Sequence, residues 1–168
     1  MSDSFSDIKN QFILSWGDMG SKWGINKAMS QIHALLMVSD KPLSTDEVMA
    51  ELKISRGNAN MNLRGLVDWG LVQRVSVKGD RKEYFQAEKD VWKMFCTVAR
   101  ERKKREIEPV ISVLQKSFEA APKTKDSAAF RDQIGKLLDF LKTADYVLGK
   151  VAQQEQNKVL PRVLKLLT

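Results

Sequence analysis

The chain has 168 residues, 43% of them hydrophobic, and a formal net charge of +7. That is enough apolar material for a real core, which excludes wholesale disorder and fits one ordinary domain, or a small domain with an added helical part. A single cysteine (Cys96) and a single histidine (His33) exclude an internal disulfide and a Cys/His zinc cluster, so neither metal nor cofactor is expected.

The charge is unevenly spread. Residues 1–52 sum to −3, residues 53–105 to +8 (14 basic, 6 acidic) and residues 106–168 to +2. A basic field confined to the middle third favours a polyanionic partner, nucleic acid before acidic membrane. The first thirty residues lack a basic start followed by an apolar run, and no stretch approaches a membrane span. A cytoplasmic protein with no membrane partner is the expectation.

Along the chain, FSDIKNQFILSWGDM (5–19) places Phe5, Ile8, Phe12 and Trp16 at helical spacing, an amphipathic helix, after which Gly17, Gly20 and Gly24 loosen the chain. KAMSQIHALLMVS forms a second helix with Ile32, Leu35 and Leu36 on its apolar face, ended at Lys41-Pro42. LSTDEVMAELK opens a third with a capping box, Ser44 at the N-cap and Glu47 three residues on. Ser55 then caps a fourth helix, ISRGNANMNLRGLVDWG, whose glycines and asparagines are poor helix formers. After Gly70, LVQRVSVKGDRKEYFQAE alternates β-branched and aromatic residues around Gly79-Asp80, a hairpin. From about residue 89 the chain is helical to its end, with Phe130, Ile134, Leu137, Leu138 and Leu141 in one stripe continued by Val147, Leu148 and Val151.

This order gives a mainly α fold with a small β-hairpin wing: a winged helix-turn-helix plus a long helical dimerisation region. Residues 1–26 form an N-terminal helix for the dimer interface, 27–88 the winged helix-turn-helix, and 89–168 a linker helix and C-terminal dimerisation helices. The charged run ERKKREIE (101–108) interrupts the apolar stripe, which suits a helix bridging two modules across solvent, kinked or restarted at Pro109.

If Leu63 faces the core, Ala59, Leu66 and Val67 share its side of the fourth helix, and Gly57, Asn58, Met61 and Gly65 point away. Asn62 and Arg64 fall on the flanks. Asn pairs with adenine edges, Arg with guanine, and an apolar tip touches a thymine methyl, so Asn58, Asn62, Arg64 and Met61 suit a reading helix in a major groove. Gly57 and Gly65 let the backbone approach, and Ser55 and Arg56 sit at a helix start that favours phosphate. Lys78, Arg81 and Lys82 at the hairpin tip would meet phosphates or the minor groove beside it. A solvated polar helix and an ordinary soluble hairpin are the plainer alternatives; position and local charge favour DNA.

The run ISRGNANMNLRGLVDWGLVQRV followed by KGDRKEYFQAEKDVWKMF, with WGDMGSKWGINKAMSQIHALL before it, resembles the GbsR-like branch of the MarR-type winged-helix transcriptional regulators. The resemblance implies a homodimeric DNA-binding regulator dimerised through N- and C-terminal helices; two reading helices in a dimer call for an inverted repeat in double-stranded DNA, and a repressor is the expectation. Some relatives respond to choline-like osmolytes. Trp16, Trp23 and Trp92 are therefore candidates for an aromatic cage around a quaternary ammonium effector, with core and interface packing as the ordinary alternative. No catalytic constellation is present: the Gly-Lys pairs lack the rest of a P-loop, and His33 lies in an apolar run. A winged helix used only for protein–protein contact is the competing function. An RNA binder should show stacking aromatics that the outward face lacks.

Overall fold

The computed structural model describes residues 4–154, so the part of the expected helical region beyond 154 lies outside the described residues. The chain divides into two units, at Asp90 and Val91. The first unit contains helices α1 (Phe5–Lys22), α2 (Lys27–Val38), α3 (Thr45–Leu52) and α4 (Arg56–Asp68), with strands β1 (Leu43–Ser44), β2 (Val72–Val75) and β3 (Tyr84–Ala87). The strands form one antiparallel sheet in the order β1-β3-β2. This is a winged helix, as the element order predicts. The two-residue β1, which pairs Leu43 with Phe85 and Ser44 with Tyr84, was not legible beforehand.

Helix α2 is the centre of the first unit. Ile32, Ala34, Leu35 and Leu36 are almost wholly buried, and α1, α3, α4 and β3 all pack on it. Its ends are closed by side chains. Asn26 accepts from the Met29 N–H at the start; at the end, the Ser39 hydroxyl and the Lys89 ammonium take the carbonyls of Leu35, Leu36 and Met37.

Helix α1 corrects two expectations. It runs through Gly17 and Gly20 without loosening, held at its start by a Ser4–Asp7 capping box. Its buried face is Ile13, Gly17 and Gly20, while Phe5, Ile8 and Phe12 stand outward. The reason is close packing: a Cβ on Gly17 would lie 2.5 Å from Gln31 Cγ, and one on Gly20 2.6 Å from Ser30 Cβ. The glycines give α2 its place, and the aromatic side is left to line a groove of about 610 Å³ with Val38 and Leu43.

Within the second unit, α5 (Val91–Arg102) passes through a π-helical turn (Lys103–Ile107) into α6 (Glu108–Ala120), and α7 (Ala128–Ala152) packs on all three. Pro109 has no N–H to return to Arg105, and the Glu108 N–H reaches back five residues to the Lys103 carbonyl. Pro109 thus restarts a helix at its first turn. The charged run is not a bare bridge across solvent: Lys103 pairs with Glu108 (2.6 Å) and with Asp145 of α7 (3.0 Å), and Arg102–Glu106 and Arg105–Glu101 pair along the helix. From α5, the Trp92 indole N–H, the Cys96 thiol and Arg100 donate to the carbonyls of Gln154, Val151 and Ala152, closing the end of α7.

His33 lies in α2, 6% exposed, with its ring 6.4 Å from that of Trp16 and no hydrogen-bond partner for Nε2 among the described residues. Burial pushes its pKa down to about 4. The unfolded chain, titrating near 6.5, therefore binds the extra proton first, so stability is full above that pH and falls as pH drops toward 4. Denaturant unfolding across this range should lose about 3 kcal/mol attributable to this group. The slope should flatten in His33→Phe; a wild-type stability independent of pH between 7 and 4 refutes the assignment.

Candidate nucleic-acid interface

The candidate surface is formed by α3, α4 and the hairpin of β2 and β3. Helix α3 starts with the capping box read from the sequence. The Ser44 hydroxyl accepts from the Glu47 N–H, and the Glu47 carboxylate accepts from the Ser44 N–H and hydroxyl, both at 2.8 Å. Those bonds from Ser44 hold the Glu47 pKa below its ordinary value. Ser55 caps α4 through the Asn58 N–H. Gly70, at φ +73, closes α4: its own N–H returns to the Val67 carbonyl and that of Leu71 to Leu66.

On α4 the inward residues are Ala59, Asn62, Leu63 and Leu66, all nearly inaccessible. Arg56, Gly57, Met61 and Arg64 are exposed, Met61 to 63%. Two residues depart from their expected places. Asn62 is 4% exposed and donates its amide to the carbonyl and side-chain oxygen of Asn58, one turn earlier, so it supports that residue and presents nothing outward. Gly65 faces α2, where a Cβ would touch the Met29 thioether at about 3.5 Å. Gly57 alone of the two is open, with nothing within 4 Å of an added Cβ. Asn58 is half-buried, and Asn60 is turned toward α3, accepting from the Thr45 hydroxyl.

The wing between β2 and β3 turns at Gly79, φ +88. Asp80 organises it, accepting from the Lys82 N–H at 2.9 Å and the Tyr84 hydroxyl at 2.7 Å. The first of these lowers the Asp80 pKa, and the second raises that of Tyr84. Lys78 and Arg81 are exposed, and neither they nor Arg64 has an ion-pair partner among the described residues. Arg74 is paired with Glu83 at 3.3 Å.

A residue missed in the sequence joins the two parts. Asp46, in the first turn of α3, accepts from Arg56 Nη2 at 2.6 Å and lies 3.5 Å from Lys82 Nζ. The Arg56 guanidinium, more than Lys82, holds its carboxyl below the usual range. Locally Asp46 reads as an acid favouring the α3 dipole; only the tertiary fold brings residues 46, 56 and 82 together.

The candidate cage residues have other neighbours. Trp16 packs on Phe12 (5.7 Å between ring centroids) and on His33, and Trp23 ends α1, 61% exposed. Both belong to the first unit. Trp92 belongs to the second, against Phe95 and the Gln154 carbonyl. Among the described residues no cluster of His, Cys, Asp and Glu could hold a metal, and no helix is long and apolar enough to cross a membrane.

Gly57→Ala should raise stability by about 0.5 kcal/mol, since the new methyl meets no atom and helix propensity improves. Thermal unfolding of the variant measures this; a lower melting temperature contradicts an open face at this position.

Residues 23–83 match the MarR family. The chain is 24% identical over 95 residues to the HTH-type transcriptional repressor GbsR of Bacillus subtilis (strain 168), an alignment covering 56% of this chain and 52% of that protein. It thus spans about half the length of that curated relative. A solved structure described as the crystal structure of a transcriptional regulator has the same fold, with a TM-score of 0.73 and 20% identity over 90% of this chain and 99% of that one. Over residues 23–83, the winged-helix part of the chain, the sequence is thus similar to the MarR family.

Proposed function

We propose that this protein is a transcriptional regulator, acting as a repressor, that binds an inverted repeat in double-stranded DNA as a homodimer. One observation carries the reading. The outward side of α4, with Gly57 open and Met61 and Arg64 exposed, stands in the same unit as a wing whose Lys78 and Arg81 have no ion-pair partner among the described residues. Unpaired cations beside a low-bulk helix face suit phosphate contact and major-groove entry.

Asn62 refines the role of Asn58. By taking the Asn58 side-chain oxygen, it leaves the Asn58 amide nitrogen as the free end, a donor suited to the N7 or O6 acceptors of a purine. Arg64 serves as the guanine reader. Ser55 is committed to capping, and its part in binding is to hold the α4 start toward the backbone. A cytoplasmic location follows from this function.

Dimerisation is supported by α7. Phe130, Leu137, Phe140 and Val147 are 49%, 40%, 68% and 52% exposed at spacings of seven and three, a second apolar seam besides the one that meets α5 and α6. A second copy covers such a seam and places two reading helices in successive major grooves, about 10 base pairs apart or a multiple of that.

Selection of bound fragments from genomic DNA by the purified protein gives the operator and its symmetry. Against that operator, Arg64→Ala should lose about tenfold or more of the discrimination over random duplex, whereas Arg81→Ala should weaken both alike and flatten the salt dependence. Arg64→Ala with unchanged affinity and specificity refutes the reading face. Sedimentation should show a dimer, converted to a folded monomer with poor operator binding by Leu137→Asp/Phe140→Asp. A wild-type monomer with full operator affinity sinks the dimer.

A further inference from the structure

We propose that Asp46 is an internal competitor of the DNA backbone: its carboxylate holds, in the free protein, the position between Arg56 and Lys82 that a phosphate takes in the complex. The inference rests on the DNA-binding reading above.

The geometry is that of a phosphate site already filled. One carboxylate oxygen accepts from Arg56 Nη2 at 2.6 Å, and the other faces Lys82 Nζ at 3.5 Å. The three residues come from three elements: Asp46 from the first turn of α3, Arg56 from the first position of α4, and Lys82 from the returning arm of the wing. A phosphodiester is held in the same manner, by two non-bridging oxygens shared between cations at a helix start.

Beyond favouring the α3 dipole, Asp46 has no capping task. The α3 cap is complete with Ser44 and Glu47. The neighbouring acids are each engaged elsewhere, Glu47 with Ser44 and Lys41, Asp80 with the wing, and Glu83 with Arg74. The ion pairs are more than a third exposed at each residue, so they add little to folding. Their effect falls on the ligand. An incoming phosphate meets a like charge and two occupied cations, so backbone contact is weakened for every DNA sequence, and occupancy is left to sites where Met61 and Arg64 add base contacts.

The test uses the full-length protein and a random-sequence duplex of about 30 base pairs, long enough for two half-sites, titrated across a salt series. Asp46→Asn should raise affinity about tenfold and steepen the salt dependence by about 0.9 log unit for each cation released. Asp68→Asn makes the same charge change on exposed α4 surface, away from this triad, and should have a clearly smaller effect. In an Arg56→Ala/Lys82→Ala background, Asp46→Asn should give no gain, because the cations it releases are gone.

Unchanged or lower affinity in Asp46→Asn overturns the proposal, since an acid that merely orients its partners should weaken binding when neutralised. So does a gain that survives in the double-alanine background, which marks a diffuse charge effect. Wild-type protein with no salt-dependent binding to any duplex removes the DNA-binding reading, and this proposal with it; wild-type binding with either of the earlier outcomes removes this proposal alone.

Discussion

Helix α2 is enclosed by α1, α3, α4 and β3, and a helix so placed has to be apolar, uncharged, and crossed by neighbours with little bulk. Each requirement is visible in a side chain. Ile32, Ala34, Leu35 and Leu36 supply the apolar surface, and His33 meets the second condition by staying neutral. Three glycines from two helices meet the third: Gly17 faces Gln31, Gly20 faces Ser30 and Gly65 faces Met29. The first two leave no room for a methyl, whereas the third makes ordinary contact. Residues that look like helix breakers along the sequence are therefore approach points for one central helix.

Helix α4 answers to that constraint on one side and to solvent on the other. Its core side is narrow, Ala59, Leu63 and Leu66, and Asn62 is drawn inside with them. A buried amide is tolerated there because its donors are used within the helix, on Asn58. The asparagines of NANMN thus have three separate jobs: Asn58 half-exposed, Asn60 bonded to Thr45 of α3, and Asn62 supporting Asn58. Composition alone gives them one.

Local signals were legible where their cause is local. The Ser44–Glu47 box, the Ser55 cap, the Gly79 turn and the hairpin around it all appear in place, because each depends on residues close in sequence. What escaped depends on distant partners. The aromatic side of α1 reads as its core face until α2 is seen against the glycines. A two-residue strand carries no periodicity, and its Ser44 is also a helix cap. Pro109 allowed a kink or a new helix; the helix instead passes through a π turn, in which the Glu108 N–H reaches the Lys103 carbonyl five residues back. The Asp46 contacts span 10 and 36 positions, beyond any local pattern.

The ammonium of Lys89 binds the carbonyls of Leu36, Met37 and Ser39, residues 50 to 53 positions earlier. In polymer terms this makes α3, α4 and the wing a closed ring, and closing one of this length costs on the order of 3 kcal/mol in chain entropy. Three charge-assisted bonds at a helix end are of the size needed to offset that. The clasp adds to the β1–β3 pairing, which already sets Leu43 beside Phe85 and Ser44 beside Tyr84. Once formed, it lets the ring neither lengthen nor slide along α2 without opening first.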